Sequence, residues 1–175
     1  LWAGTVIPAH PLALHPDRSI DEEHQRLLTQ YYIASGAGGI AVAVHSTQFE
    51  IREPEFNLFE PVLKWASEEV DKAKLQRPFL KIAGICGPTE QAVQEANIAL
   101  RYGYDIGLLS MGGLTGWTEK AILDRVRAIA AIMPVFGFYL QPSVGGRIFS
   151  YSFWQEFVEI ENVVAIKCAS FNRYQ

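Results

Sequence analysis

The chain predicts a parallel α/β fold, and three observations carry that expectation. Short apolar runs recur at Gly4–Ala9, Gly39–His45, Phe79–Cys86, Asp105–Met111, Val135–Tyr139 and Val163–Cys168. Longer stretches between them place apolar residues at helical spacing. No two-residue hairpin signal joins neighbouring runs, so each strand is expected to reach the next through a crossover helix.

Several of the runs are almost continuously apolar, as parallel strands covered on both faces are. In the first helix Ile20, His24, Leu27, Tyr31 and Ala34 form a stripe, Ser19 with Glu22 makes a capping box, and Gly36 supplies the stop. A second stripe runs through Phe56, Phe59, Leu63, Ala66 and Val70. Thr89 is placed as the N-cap of a third helix that ends near Tyr102 and Gly103. Thr118 caps a fourth, which carries Ile122, Val126, Ile129 and Met133 and closes at Pro134. A shorter helix, Ser152 to about Glu159, follows the fifth run.

Six successive βα units fit an open doubly wound sheet or a barrel. No glycine-rich dinucleotide fingerprint follows the first run and no phosphate-binding loop of the Walker type occurs, which favours the (β/α)₈ barrel. A full barrel needs eight units in about 250 residues. The expectation is therefore one barrel domain over residues 1–175, holding about the first six units and lacking a C-terminal portion.

Composition narrows the function. The chain is 49% apolar and 19% charged, an ordinary globular balance. A net charge of −4 offers no broad attraction for nucleic acid or anionic lipid. No apolar run approaches the roughly 20 residues of a membrane span. Two cysteines, Cys86 and Cys168, make no disulfide framework, and residues 1–8 lack a signal-peptide pattern. A cytoplasmic protein outside the membrane is expected.

In a barrel the chemistry lies at the C-terminal ends of the strands. Lys167 ends the run Val163-Val164-Ala165-Ile166, whose alternation points Val163, Ala165 and Lys167 the same way. A lysine amine in such apolar surroundings can act as a nucleophile toward a carbonyl. Tyr139 ends the preceding run and is expected beside Lys167, where a phenol could move protons. His10, His45 and Cys86 end the first three runs and are residue types that suit zinc. They form no ligand motif, so a role in shaping the substrate pocket is preferred and no metal is expected.

Val163-Val164-Ala165-Ile166-Lys167-Cys168-Ala169-Ser170 resembles the Schiff-base strand of the dihydrodipicolinate synthase / N-acetylneuraminate lyase family. Phe138-Tyr139-Leu140-Gln141-Pro142 is similar to that family's Tyr-x-x-Pro segment, and Gly84–Ala92 and Gly103-Tyr104-Asp105 to its third and fourth units. The resemblance spans essentially the whole chain. It implies a barrel lyase acting on pyruvate or a related 2-keto acid, without cofactor, as a homotetramer or dimer. It also implies Lys167 as nucleophile, Tyr139 as proton carrier, and Ser46 and Thr47 as carboxylate ligands.

The departures are local. The family's glycine-rich turn after the second strand reads His45-Ser46-Thr47-Gln48-Phe49, bulkier and without glycine. The synthases' tyrosine pair after the fourth strand is replaced by Gly112-Gly113, and the basic residue after Tyr-x-x-Pro is displaced to Arg147. These changes argue against lysine-biosynthetic dihydrodipicolinate synthase activity while leaving imine chemistry in place. The competing expectation is a keto-acid-binding or structural barrel that has kept the fold without catalysis.

Overall fold

The computed structural model describes residues 4–170, with Val144 described in its backbone alone. In chain order the elements are α1 (Glu22–Ala34), β1 (Gly39–Val42), α2 (Phe59–Lys72), β2 (Leu80–Ile85), α3 (Thr89–Arg101), β3 (Ile106–Leu109), α4 (Glu119–Ala130), β4 (Val135–Leu140), α5 (Tyr151–Val158) and β5 (Val163–Ala169). The strands are parallel and ordered β1-β2-β3-β4-β5, the order in which the chain makes them. This is the alternating α/β architecture that the apolar runs predict. Among the described residues no helix is long and apolar enough to cross a membrane.

The chain divides into two compact units: the residues up to Gly84 with Ile98–Asp105, and Ile85–Asn97 with Ile106 onward. In the first, β1 pairs with β2, and Ile40, Val42, Val62, Leu63 and Ile82 are buried around them. Every residue of β1 is buried, as a strand covered on both faces requires. The first apolar run, Gly4–Ala9, forms no extended strand. It adds an isolated parallel bridge, Ala9 to Ala41, with the His10 amide donating to the Ala41 carbonyl at 2.8 Å. Pro8 and Pro11 flank that bridge and carry no amide proton, so a longer ladder has no donors at those positions.

Helix α1 departs from its predicted stripe. Leu27 and Tyr31 are 46% and 65% exposed, and the buried residues are Gln25 and Thr29. Both polar side chains are spent inside the unit: Thr29 Oγ1 on His10 Nε2 at 2.9 Å, and Gln25 Oε1 on the Ala13 amide at 2.7 Å. The N-cap is Asp21, which accepts from the His24 amide at 3.0 Å, whereas Ser19 turns back to Asp17. Gly36 ends the segment at φ +84°, a left-handed conformation that suits glycine.

In the second unit, β3 pairs with β4 and β4 with β5. Ile122, Val126, Ile129 and Met133 are buried, and Thr118 caps α4 by accepting from the Ala121 amide at 3.1 Å, both as predicted. Ser150 caps α5 through the Phe153 amide, and Phe153 and Phe157 are buried beneath it. Burial of such side chains contributes roughly 1.5–3 kcal/mol each.

Candidate functional site

The candidate residues fall in both units, and each group has its own geometry. In the second unit, β4 and β5 start in simple register, Val135 opposite Val163, then shift by one residue so that Phe136 faces Ala165. Unshifted, that register would carry on to Tyr139 opposite Lys167. The irregularity brings Phe138 opposite Lys167 and Tyr139 opposite Cys168 instead. Register partners of a parallel pair point to the same face and successive residues alternate. One residue of slip therefore exchanges the two aromatic side chains between faces.

The side chains follow that assignment. A Cβ built on Gly137 would lie 2.5 Å from Phe157 Cζ, so Gly137, and with it Tyr139, faces α5. The Tyr139 ring meets Trp154 of α5 edge-on, centroids 5.7 Å apart and planes at 89°. On the opposite face Lys167 Nζ sits 4.9 Å from the centre of the Phe138 ring. Lys167 is exposed, rather than enclosed as its apolar strand suggests. Lys167 and Tyr139 thus share a strand end, as expected, but the side-by-side placement is not what the structure has. The residue beside the amine is Phe138, and the shift at Val135/Phe136 leaves no trace in the alternation pattern.

The loop after β4 explains the displaced arginine. Gly145 adopts φ +87°, and a Cβ on Gly146 would lie 1.8 Å from the Leu140 carbonyl oxygen, so a tight turn needs both glycines. Arg147 emerges beyond that turn. Its Nη1 donates to the Trp117 carbonyl at 2.6 Å and its guanidinium lies 5.3 Å from the Phe149 ring centre. Arg147 ties two loops of this unit together. Gly112 and Gly113 sit in the loop after β3, where the Gly112 amide donates to Ser110 Oγ at 3.3 Å.

In the first unit Ser46 and Thr47 lie on a short 3₁₀ turn, His45–Thr47, after β1. Thr47 is fully buried and its hydroxyl donates to the His10 carbonyl at 2.6 Å. Ser46 is half-buried. His10 is fully buried between Thr29 and Gln25, and burial pushes its imidazole below the ordinary range, against a smaller upward pull from the Pro11 carbonyl. That is a structural histidine. His45 is exposed, with Phe49 edge-on at 6.1 Å.

Cys86, in the second unit, has Gln91 Nε2 at 3.8 Å and Glu95 Oε1 at 4.0 Å from its sulfur, and neither Cys86 nor Cys168 is in a disulfide. Among the described residues no group of three or more His, Cys, Asp or Glu side chains could hold a metal ion.

A second strand lysine escaped the sequence reading. Lys81 of β2 is buried, with Nζ held by Ser67 Oγ at 2.9 Å, the Tyr102 carbonyl at 3.3 Å and Asp71 at 3.4 Å. Every one of these partners belongs to a helix or to the turn after one, which marks Lys81 as an internal tie rather than a nucleophile.

Solved structures with this architecture supply the comparison. Dihydrodipicolinate synthase from Oceanobacillus iheyensis superposes with a TM-score of 0.80 at 18% identity, covering 96% of this chain and 53% of that one. N-acetylneuraminate lyase from Fusobacterium nucleatum gives 0.80 at 19% identity, covering 97% and 57%. The chain has the fold of these lyases. A Bacillus anthracis dihydrodipicolinate synthase agrees, at 0.77 and 23% identity, with 94% of this chain and 55% of that one covered. These neighbours are (β/α)₈ barrels, and the chain spans about half of their length. No protein-family model matches the chain, and a search of curated proteins found no match.

Proposed function

We propose that the chain carries the nucleophilic portion of a barrel lyase in which Lys167 forms a Schiff base with pyruvate or another 2-keto acid. The observation that carries this reading is Lys167 itself, at the C-terminal end of β5 in a fold shared with a dihydrodipicolinate synthase and an N-acetylneuraminate lyase, where barrel enzymes keep their chemistry.

The neutral amine attacks the keto carbon, forming the C–N bond, and the former keto oxygen takes a proton to give a carbinolamine. Loss of that oxygen as water leaves a protonated imine, which draws electrons from the adjacent carbon. Cleavage, condensation or dehydration of the substrate then proceeds from the same electron sink. Thr47 supports the turn, its own hydroxyl proton being given to His10. Tyr139 moves protons once its ring leaves the edge of Trp154, a swing that the register makes necessary. No cofactor is needed for this sequence, and a homo-oligomer is the working assembly.

The test is borohydride trapping with pyruvate. Reduction should fix one adduct per chain, seen as a rise in intact mass, and Lys167→Ala should abolish it. Equal trapping in the alanine variant would remove Lys167 from the chemistry. Absence of trapping in the unmodified protein would favour the non-catalytic barrel.

A further inference from the structure

We infer that Phe138 is a positioning residue for the Lys167 imine, its ring face holding the positive charge at Nζ; this rests on the Schiff-base reading above. Two observations meet at this residue. The shifted register makes Phe138 the partner of Lys167 across the β4–β5 ladder, and the Phe138 ring centre lies 4.9 Å from Nζ. Among the described residues Lys167 makes no ion pair and no side-chain hydrogen bond, so this ring is the partner its ammonium has there.

A ring at that distance attracts a cation through its quadrupole and is indifferent to a neutral group. The charge it meets is always at the same nitrogen. The ammonium is cationic, the carbinolamine is neutral, and the protonated imine is cationic again, now planar and able to lie along the ring. The planar imine lies flat against the ring face, a closer approach than the tetrahedral ammonium makes, so the ring favours it over both the free ammonium and the neutral carbinolamine. Because a phenyl ring cannot ionise, this preference adds no proton-accepting group near the reacting atom. A carboxylate in the same place would also hold the charge, but it would compete with the substrate's own carboxylate. An apolar ring does not.

The experiment uses pyruvate as probe and reads half-saturation of the borohydride-trapped Lys167 adduct in Phe138→Leu, Phe138→Tyr and the unmodified full-length protein. Leucine keeps an apolar side chain and removes the π face; tyrosine keeps the face. Thermal midpoints are recorded beside it. The expected result is a rise in half-saturation of about two- to five-fold in Phe138→Leu, the range of a partly exposed cation–π contact. Phe138→Tyr should return to within about two-fold of the unmodified protein, following the ring face rather than the thermal midpoint.

A Leu variant that saturates like the unmodified protein overturns the inference, and so does a Tyr variant as weak as Leu. An unmodified protein that traps no pyruvate on Lys167 overturns the Schiff-base reading and this inference with it. Trapping that is intact and insensitive to position 138 overturns this inference alone.

Discussion

Gly137→Ala probes the register that decides which side chain faces Lys167. A Cβ at this position would lie 2.5 Å from Phe157 Cζ and 2.8 Å from Cε1, against the 3.5–4.0 Å of ordinary carbon contact. The ring must therefore retreat by about 1 Å to restore normal contact. It has little room to do so: Phe157 is fully buried, with Phe153 at 5.9 Å and Trp154 at 5.4 Å between centroids.

Overpacking of this kind costs about 1–3 kcal/mol, offset by roughly 0.5–1 kcal/mol from the lost flexibility of a strand glycine. For a chain of this size each kcal/mol moves the midpoint by about 2–4 °C. The net cost of about 0.5–2 kcal/mol corresponds to a fall of roughly 1–8 °C in thermal unfolding followed by circular dichroism. Adding Phe157→Leu should make the alanine cost smaller than it is alone, because the obstructing ring is gone. An alanine variant as stable as the unmodified protein would place Gly137 away from α5. Phe138 would then turn from Lys167, and the assignment of faces would be wrong.

Other expectations follow from the same geometry. Tyr139→Phe should lower turnover by about 10²-fold, the lower end for a general acid–base group, since the ring must first leave Trp154; unchanged turnover would leave water as the proton carrier. Thr47→Val strips the buried His10 carbonyl of its 2.6 Å donor and should cost about 1–3 kcal/mol in chemical denaturation, while Thr47→Ser should recover most of it. His10 has a folded-state pKa below its unfolded value, so the unfolded chain takes the proton first. Its contribution is complete above about pH 6.5 and is lost as pH falls from there toward the lowered value. The thermal midpoint should accordingly drop between pH 7.5 and 5.5, and a flat profile would contradict the buried neutral imidazole.

The parts of the fold that obey simple periodicity were legible in the sequence. The stripe Ile122, Val126, Ile129 and Met133, its Thr118 cap and the five parallel strands all appear where spacing puts them. Legibility failed where polar groups carry the packing. Helix α1 buries Gln25 and Thr29 because His10 and the Ala13 amide need partners, which inverts the stripe that hydropathy suggests.

At the candidate site, the strand ends and Lys167 could be read from apolar runs and from the family resemblance. The choice between Phe138 and Tyr139 could not. It depends on one residue of slip between β4 and β5, set by pairing rather than by either strand's own pattern. Lys81 shows the converse: Leu80-Lys81-Ile82 offers the same strand-lysine signal, and only Ser67, Tyr102 and Asp71 reveal it as structural.

The most direct test of the central claim is peptide mapping of the adduct formed with pyruvate and borohydride in the full-length protein. The described chain has six lysines, of which Lys81 and Lys167 lie on strands. The account predicts a reduced pyruvyl group on the peptide containing Lys167, with Lys81 unmodified behind its three partners. An adduct on Lys81, or one spread over the surface lysines in equal yield, would contradict it.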